Sequence, residues 1–391
     1  MPPQGSEVNF VRLSDAQKQS LTYWIPGLIA GTLAWLVFIL VGQTPLIRAS
    51  GLALVIVGMT MTLRRSGAAL AIIGGLALAF SPAFWSQTGG ARDLSLDPTI
   101  IVMAVTALIT LLVIRLSKHW LLSLIIGFAI FAVLFWSQLS SVGSLRLTTL
   151  STAWLLYLLV DALYLTNPHP NDPPATVLQP RHVWGILILM AVGVINAPLF
   201  ILMAPAVILG LVLTRTRLPW WYWLLLGLTV AIGIYGIVDG YMSSTWWQYP
   251  AAQAQERGLR LPFILADGWH EASRWIVLVQ LVVTQFTLVG VGLGIMGLSR
   301  LARWYPPLGV VTMIAYALHV LFGLVYFGND SPVLLLPLLM VQIFWMTYAV
   351  DVLGQWLQRS VRTPVPLLRW LAPAIYIWLP VLMLMRITSA I

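Results

Sequence analysis

From residue 22 to residue 388 the chain is a nearly continuous series of apolar runs, most about 20 residues long. That length is what a helix needs to cross the roughly 30 Å of hydrocarbon in a bilayer. The runs fall near 22–42, 49–63, 67–87, 99–116, 120–138, 147–166, 219–241, 275–299, 307–327, 332–355 and 365–388, and a longer one occupies 183–213. Hydrophobic residues fill 60% of the 391 positions, charged residues only 8%, and mean hydropathy is +0.91. No single globular core could hide that many apolar side chains. The predicted class is therefore an all-α, polytopic transmembrane protein.

The run 183–213 exceeds one span and is interrupted by Asn196 and Pro198, with Pro205 beyond. Proline removes a backbone donor and obstructs the preceding turn. The expectation is two short half-helices meeting at a bend. This reading can be tested on the arginines, because Lys and Arg in short loops gather on the cytoplasmic side. With 183–213 as two crossings, one face receives Arg64-Arg65, Arg115 with Lys118, Arg215 with Arg217, Arg300 with Arg303, and Arg359 with Arg362. A single crossing would move the later pairs to the wrong face. About 13 crossings with a cytoplasmic N-terminus follow.

The net charge of +9 resides in these scattered single and paired arginines. No basic stripe with interleaved aromatics suggests nucleic acid. The absence of cysteine excludes disulfides, thiolate zinc and iron–sulfur sites. The organisation read from the chain is a cytoplasmic segment 1–21, a transmembrane module 22–216, and a second module 217–391 that carries a long external loop, 242–274. Residues 167–182 contain NPHPNDPP and read as an extended linker. The first span is expected to serve as the targeting signal.

Ionisable groups in a membrane are functional suspects. Asp161, Asp239 and Asp351 lie near span ends, where water or a terminal arginine can satisfy them. His319 is well inside a span, and a packed, hydrogen-bonded side chain accounts for it. Asn196 either satisfies the backbone groups released at the bend or lines a lipid or sugar pocket. Trp246 and Trp247 could stack on a sugar, though tryptophan also gathers at bilayer interfaces. Arg92, Arg257 and Arg260 stand on the external side, where the positive-inside rule gives no reason for them. They are read either as partners of nearby acids or as contacts for an anionic lipid headgroup. A proton relay or transporter would call for acids at mid-depth and internal repeats, and the sequence shows neither.

Two segments carry a resemblance. SPAFWSQTGGARDLSLDPTIIV, residues 81–102, resembles a motif of a bacterial family of GT-C-type multi-pass proteins related to protein O-mannosyltransferases. Ser81, Pro82, Phe84, Trp85, Gln87, Ala91, Ser95 and Leu96 fall in register. GVINAPLFILMAPAVILGLVL is similar to a second family stretch, with Asn196 and Pro205 in place. The likeness covers roughly residues 20–215.

The resemblance implies a GT-C-like fold and a glycosyltransferase that moves a sugar from a polyprenyl-phosphate carrier to an acceptor on the external face. Asp93 and Asp97 stand in the loop where the family places an acid, and they are the candidate catalytic groups. Arg92, Asn196, Trp246, Trp247, Arg257 and Arg260 are the candidate lipid- or sugar-binding residues. No metal site is expected. The chain departs from the family where it matters for catalysis. The first external loop, GQTPLIR, has no carboxylate, the family glutamate is Arg92, and Ala197 follows Asn196 where the family has histidine. A non-catalytic structural or accessory subunit of a larger membrane complex is therefore the alternative expectation. The implied partners are membrane lipids and other integral subunits.

Overall fold

The structure is a computed structural model. It describes residues 15–88, 106, 110, 123, 125–127, 141–167, 178–243, 268–326, 331–360 and 368–390. Among these the architecture is all-helical. In chain order the helices are α1 (Asp15–Leu40), α2 (Leu46–Leu63), α3 (Ala68–Ala79), α4 (Pro82–Trp85), α5 (Ser141–Thr166), α6 (Pro180–Asn196) and α7 (Ala204–Leu213). They continue as α8 (Trp220–Ser243), α9 (Ala272–Trp304), α10 (Pro306–Val325), α11 (Ser331–Leu334), α12 (Leu336–Ser360), α13 (Leu368–Tyr376) and α14 (Trp378–Ala390). Among the described residues seven stretches are long and apolar enough to cross a membrane: those in α1, α5, α8, α9, α10 and α12, and α13 with α14 taken together. The expected spans 99–116 and 120–138 lie outside the described residues, apart from isolated positions.

The apolar run 67–87 does not form one long helix. α3 stops at Ala79, Ser81 is extended (φ −68°, ψ 138°), and Pro82 opens the four-residue α4. The residue before a proline is pushed out of the helical region, which explains the break. At 12 residues, α3 reaches about 18 Å, less than the hydrocarbon thickness. It is instead buried among other helices, with Ala71, Ala77, Leu78 and Ala79 sealed from solvent.

The segment 183–213 breaks where its sequence suggests. α6 ends at Asn196, Ala197 is extended (φ −146°, ψ 108°), and Pro198–Met203 form a 3₁₀ helix that leads into α7. The chain reverses there. Near the start of α6, His182 Nε2 meets Asp161 Oδ2 at 2.9 Å, close to the C-terminal end of α5. At the break, Asn196 meets Thr148 near the other end of α5. At the end of α7, the Leu213 carbonyl accepts from Asn167 Nδ2 at 3.0 Å, so the chain has come back. The outgoing leg of 17 residues covers ~25 Å, and the return leg, stretched by its 3₁₀ turns, covers ~27 Å.

Contacts also sort the helix ends. Arg65 lies over the Tyr164 ring, and Tyr305 Oη donates to the Leu163 carbonyl (2.8 Å) and also reaches that of Asn167. Arg64-Arg65, Arg215-Arg217 and Arg300-Arg303 therefore share one end of the bundle, and α12 runs toward it, ending past Arg359. We call this the basic end. At the opposite end Arg274 clamps the last turn of α10, donating to the carbonyls of Leu324 (3.0 Å), Gly323 (3.1 Å) and Tyr326. A cation at a helix C-terminus satisfies orphan carbonyls and suits the dipole. Tryptophans mark both levels, Trp220 and Trp221 near the basic end and Trp269 and Trp275 at the other. Aromatic belts of this kind sit at bilayer interfaces.

Small residues let the helices approach closely, as is usual in membranes. Along α9 and α12, a Cβ on Gly294 would fall 2.0 Å from Gln342 Nε2, and one on Gly297 would fall 1.9 Å from the Trp345 carbonyl oxygen. α9 itself is kinked at Thr287, where φ is 64° and ψ 172°. The kink leaves Gln285 pointing across to α4.

Candidate functional site

At the end opposite the basic loops, four separate segments of sequence meet. The first turns of α5 put Thr148 and Thr149 side by side. Gln87, just past α4, donates from Nε2 to Thr149 Oγ1 at 3.5 Å. Asn196, at the break, donates from Nδ2 to Thr148 Oγ1 at 2.7 Å. The two sequence motifs that carry the family resemblance thus converge on adjacent threonines. The α1–α2 connection joins them, since a Cβ on Gly42 would lie 3.0 Å from Thr44 Oγ1 and 3.4 Å from Thr88 Oγ1.

Each segment is held locally. Ser81 Oγ donates to the Leu78 carbonyl (2.9 Å) and Thr88 Oγ1 to that of Trp85 (2.7 Å), so hydroxyls close the short turns around α4. Phe84 packs against Phe38 and is fully buried. The Ala83 amide, in the first turn of α4 and lacking a helical acceptor, donates to Gln285 Oε1 at 2.8 Å. Such orphan donors at a helix start need an outside partner. Sequence reasoning missed Gln285, because nothing local marks a glutamine 202 residues away as that partner.

The cluster is buried and neutral. Thr44, Gln87, Thr88, Thr149, Asn196 and Gln285 are each under 10% exposed, and none carries a charge. Such groups are kept in a membrane only when hydrogen-bonded or when they line a polar space. His319 adjoins the cluster across a small pocket of about 30 Å³ lined also by Thr148, Thr149, Ala197 and Phe200. Its Nδ1 donates to the Ala315 carbonyl at 2.8 Å, the hydrogen-bonded role expected for it. A space of that size holds a water but no sugar.

Of the residues singled out in the sequence, Asn196 is therefore placed at this cluster. Arg92, Asp93, Asp97, Trp246, Trp247, Arg257 and Arg260 lie outside the described residues. Asp161 takes a partner the sequence did not suggest, His182, rather than an arginine. Asp351 accepts from Gln355 Nε2 at 3.2 Å. The side chain of Asp239 lies outside the described residues.

An apolar groove of about 370 Å³ starts close to the cluster. It is lined by Thr287, Gly290, Leu293, Met346, Tyr376 and Leu379, among others, and begins two residues from Gln285. Three residues before Thr287, the Thr284 carbonyl accepts from Arg386 Nη1 at 3.4 Å.

Comparison with known proteins adds no relative. The chain matches no family model, no curated protein and no solved structure.

Proposed function

We propose that the chain is a GT-C-like membrane protein that uses a polyprenyl-phosphate-linked sugar at the end built from Gln87, Thr148, Thr149 and Asn196. The observation that carries this reading is the convergence of the two resembling motifs on Thr148 and Thr149, although 109 residues separate Gln87 from Asn196. On this reading the N-terminus is cytoplasmic, and the neutral cluster faces the opposite, external side. The apolar groove that begins two residues from Gln285 suits a prenyl chain, and Arg386, bonded to the Thr284 carbonyl, suits the lipid phosphate, because guanidinium binds phosphate in bidentate fashion. Acid–base chemistry would fall to Asp93, a carboxylate able to take a proton from an acceptor hydroxyl. Asp93 is five residues beyond Thr88, a stretch that spans at most about 18 Å. Asp97 is the second candidate, and Arg92, Trp246, Trp247, Arg257 and Arg260 are proposed to hold lipid phosphate or sugar.

A specific observation favours the alternative, a non-catalytic accessory subunit. The described part of the cluster contains no carboxylate, and Thr44 stands in the first loop where the family has an acid. The test is transfer of sugar from a polyprenyl-phosphate donor by the purified full-length protein, wild type against Asp93→Asn. Activity lost in the variant, with expression and helicity intact, supports the transferase. Full activity in Asp93→Asn removes the assignment of Asp93. A wild type that is inert with such donors but co-purifies with other membrane chains supports the accessory reading.

A further inference from the structure

A second candidate site lies where α9 begins. The sequence GWHEASRW, residues 268–275, sets Arg274 next to Trp275 and close to Trp269. Trp275 Nε1 donates to the Trp269 carbonyl at 2.9 Å, which ties the two together, and both are about half exposed. Tryptophans at the edge of the hydrocarbon mark the depth of lipid headgroups.

The fold uses only part of Arg274. Its Nε and Nη2 carry three N–H bonds, and the carbonyls of Gly323, Leu324 and Tyr326 take them. A guanidinium has five N–H donors. The two on Nη1 take no partner among the described residues. Among those residues no carboxylate pairs with Arg274 either, and Glu271, one turn earlier, accepts from Ser273 Oγ at 3.4 Å. Arg274 lines a cavity of about 190 Å³, together with Ser331 and the apolar Val277, Leu278, Leu281 and Leu335. The half-buried Ser331 hydroxyl also takes no partner among the described residues. The cavity therefore joins an uncompensated cation and a hydroxyl to an apolar wall.

That arrangement matches a phospholipid better than a soluble anion. Val277, Leu278 and Leu281 follow Arg274 along α9 by three to seven residues, which sets them about 5–10 Å further along the helix. Ile276, Val277 and Val279 are 51–65% exposed, so the apolar wall continues onto the outer surface of the bundle. Gly323 allows α9 and α10 to close the floor, since a Cβ there would lie 2.8 Å from Leu278 and 3.0 Å from Leu335. The volume is below the roughly 300–1,000 Å³ of pockets that enclose a drug-sized ligand. It suits a headgroup phosphate whose acyl chains stay outside, on the exposed apolar face. No residue lining the cavity is acidic, so nothing in it receives an ammonium. We propose that this cavity binds the phosphate of a net-anionic phospholipid, of the phosphatidylglycerol class, in the leaflet opposite the basic loops. The site is independent of the transferase reading and uses none of the residues of the neutral cluster.

The experiment attaches a fluorophore at Ile276→Cys, a position beside the cavity in an otherwise cysteine-free chain. The full-length protein is delipidated and placed in phosphatidylcholine nanodiscs. Phosphatidylglycerol or phosphatidylcholine with brominated chains is then titrated in, and quenching is read. The glycerol lipid is expected to quench at a several-fold lower mole fraction than the choline lipid. Ser331→Asp, which sets a carboxylate against the phosphate, should weaken the glycerol lipid about tenfold, the scale of one hydrogen bond to a charged group. Arg274→Gln keeps a donor for the α10 carbonyls but removes the charge, and it should erase the preference. Helicity by circular dichroism checks each fold, and Ser331→Asp decides if Arg274→Gln does not fold. Equal quenching by the two lipids in the Ile276→Cys protein would overturn the proposal, as would an unchanged preference in folded Ser331→Asp. Relief of quenching by soluble glycerophosphoglycerol at the concentration of the lipid would overturn the lipid assignment in favour of a soluble phosphate ester.

Discussion

Asn196 Nδ2 donates to Thr148 Oγ1 at 2.7 Å, which pins the reversal of the α6–α7 hairpin to the first turns of α5. The bond does two things at once. It gives a buried amide a partner where the helix has ended, and it fixes the distance between the two motif segments. Interhelical hydrogen bonds in membranes contribute about 0.6 kcal/mol on average and up to about 1.7 kcal/mol. A double-mutant cycle with Asn196→Ala and Thr148→Val, read by reversible unfolding in mixed micelles, should give a coupling in that range. Strict additivity would mean that the bond contributes nothing to the fold.

The end-sorting of the helices makes a topology prediction. The chain has no cysteine, so single cysteines can be introduced without background labelling. Arg65→Cys, Arg217→Cys and Arg303→Cys should be labelled by a membrane-impermeant thiol reagent from one side, and Trp269→Cys from the other. The positive-inside rule predicts that the arginine side is the cytoplasmic one. Labelling of positions 65 and 269 from the same side is incompatible with the arrangement.

The α9–α12 contact should be the least tolerant of added volume. A Cβ on Gly297 would meet a backbone carbonyl at 1.9 Å, and backbone cannot rotate aside as a side chain can. Gly297→Val should cost at least about 1–3 kcal/mol, the usual range for overpacking. Gly227, where a Cβ meets nothing within 4 Å, provides the control. Gly227→Val should leave the midpoint of thermal unfolding, followed by circular dichroism, within a degree or two of wild type, as surface changes do. Equal losses at the two positions would refute the packing argument.

Thr287 sits at φ 64° in the middle of α9, a conformation that costs a non-glycine residue about 1–3 kcal/mol. Thr287→Gly should therefore stabilise the protein by about 1 kcal/mol, because relief of the strained backbone exceeds the entropy that glycine adds to the unfolded chain. A fall in unfolding temperature for Thr287→Gly would indicate that the threonine side chain, not the backbone, governs this site.

Much of this was legible in the chain. Among the described residues the long apolar runs specified helices, because a bilayer demands about 20 residues per crossing. The excess length of 183–213 with Asn196 and Pro198 located its break to within about two residues. The paired arginines grouped the helix ends. The run 67–87 is not one continuous helix, since hydropathy does not register that Pro82 divides it into a buried 12-residue helix and a short turn.

What the sequence determined by itself is thus whatever depends on local length, proline and the placing of paired charge. Crossing and breaking are properties of one segment against a uniform solvent. The tertiary structure alone decided which polar residues meet. Gln285 reaching the Ala83 amide, Gln87 and Asn196 sharing the Thr148–Thr149 turn, and Asp161 taking His182 all join positions 21 to 202 residues apart. The Thr287 kink and the arginine-lined cavity belong to the same class. In hydrocarbon a polar side chain is attracted to any partner it can reach, and what it can reach is set by helix packing, which no local pattern encodes.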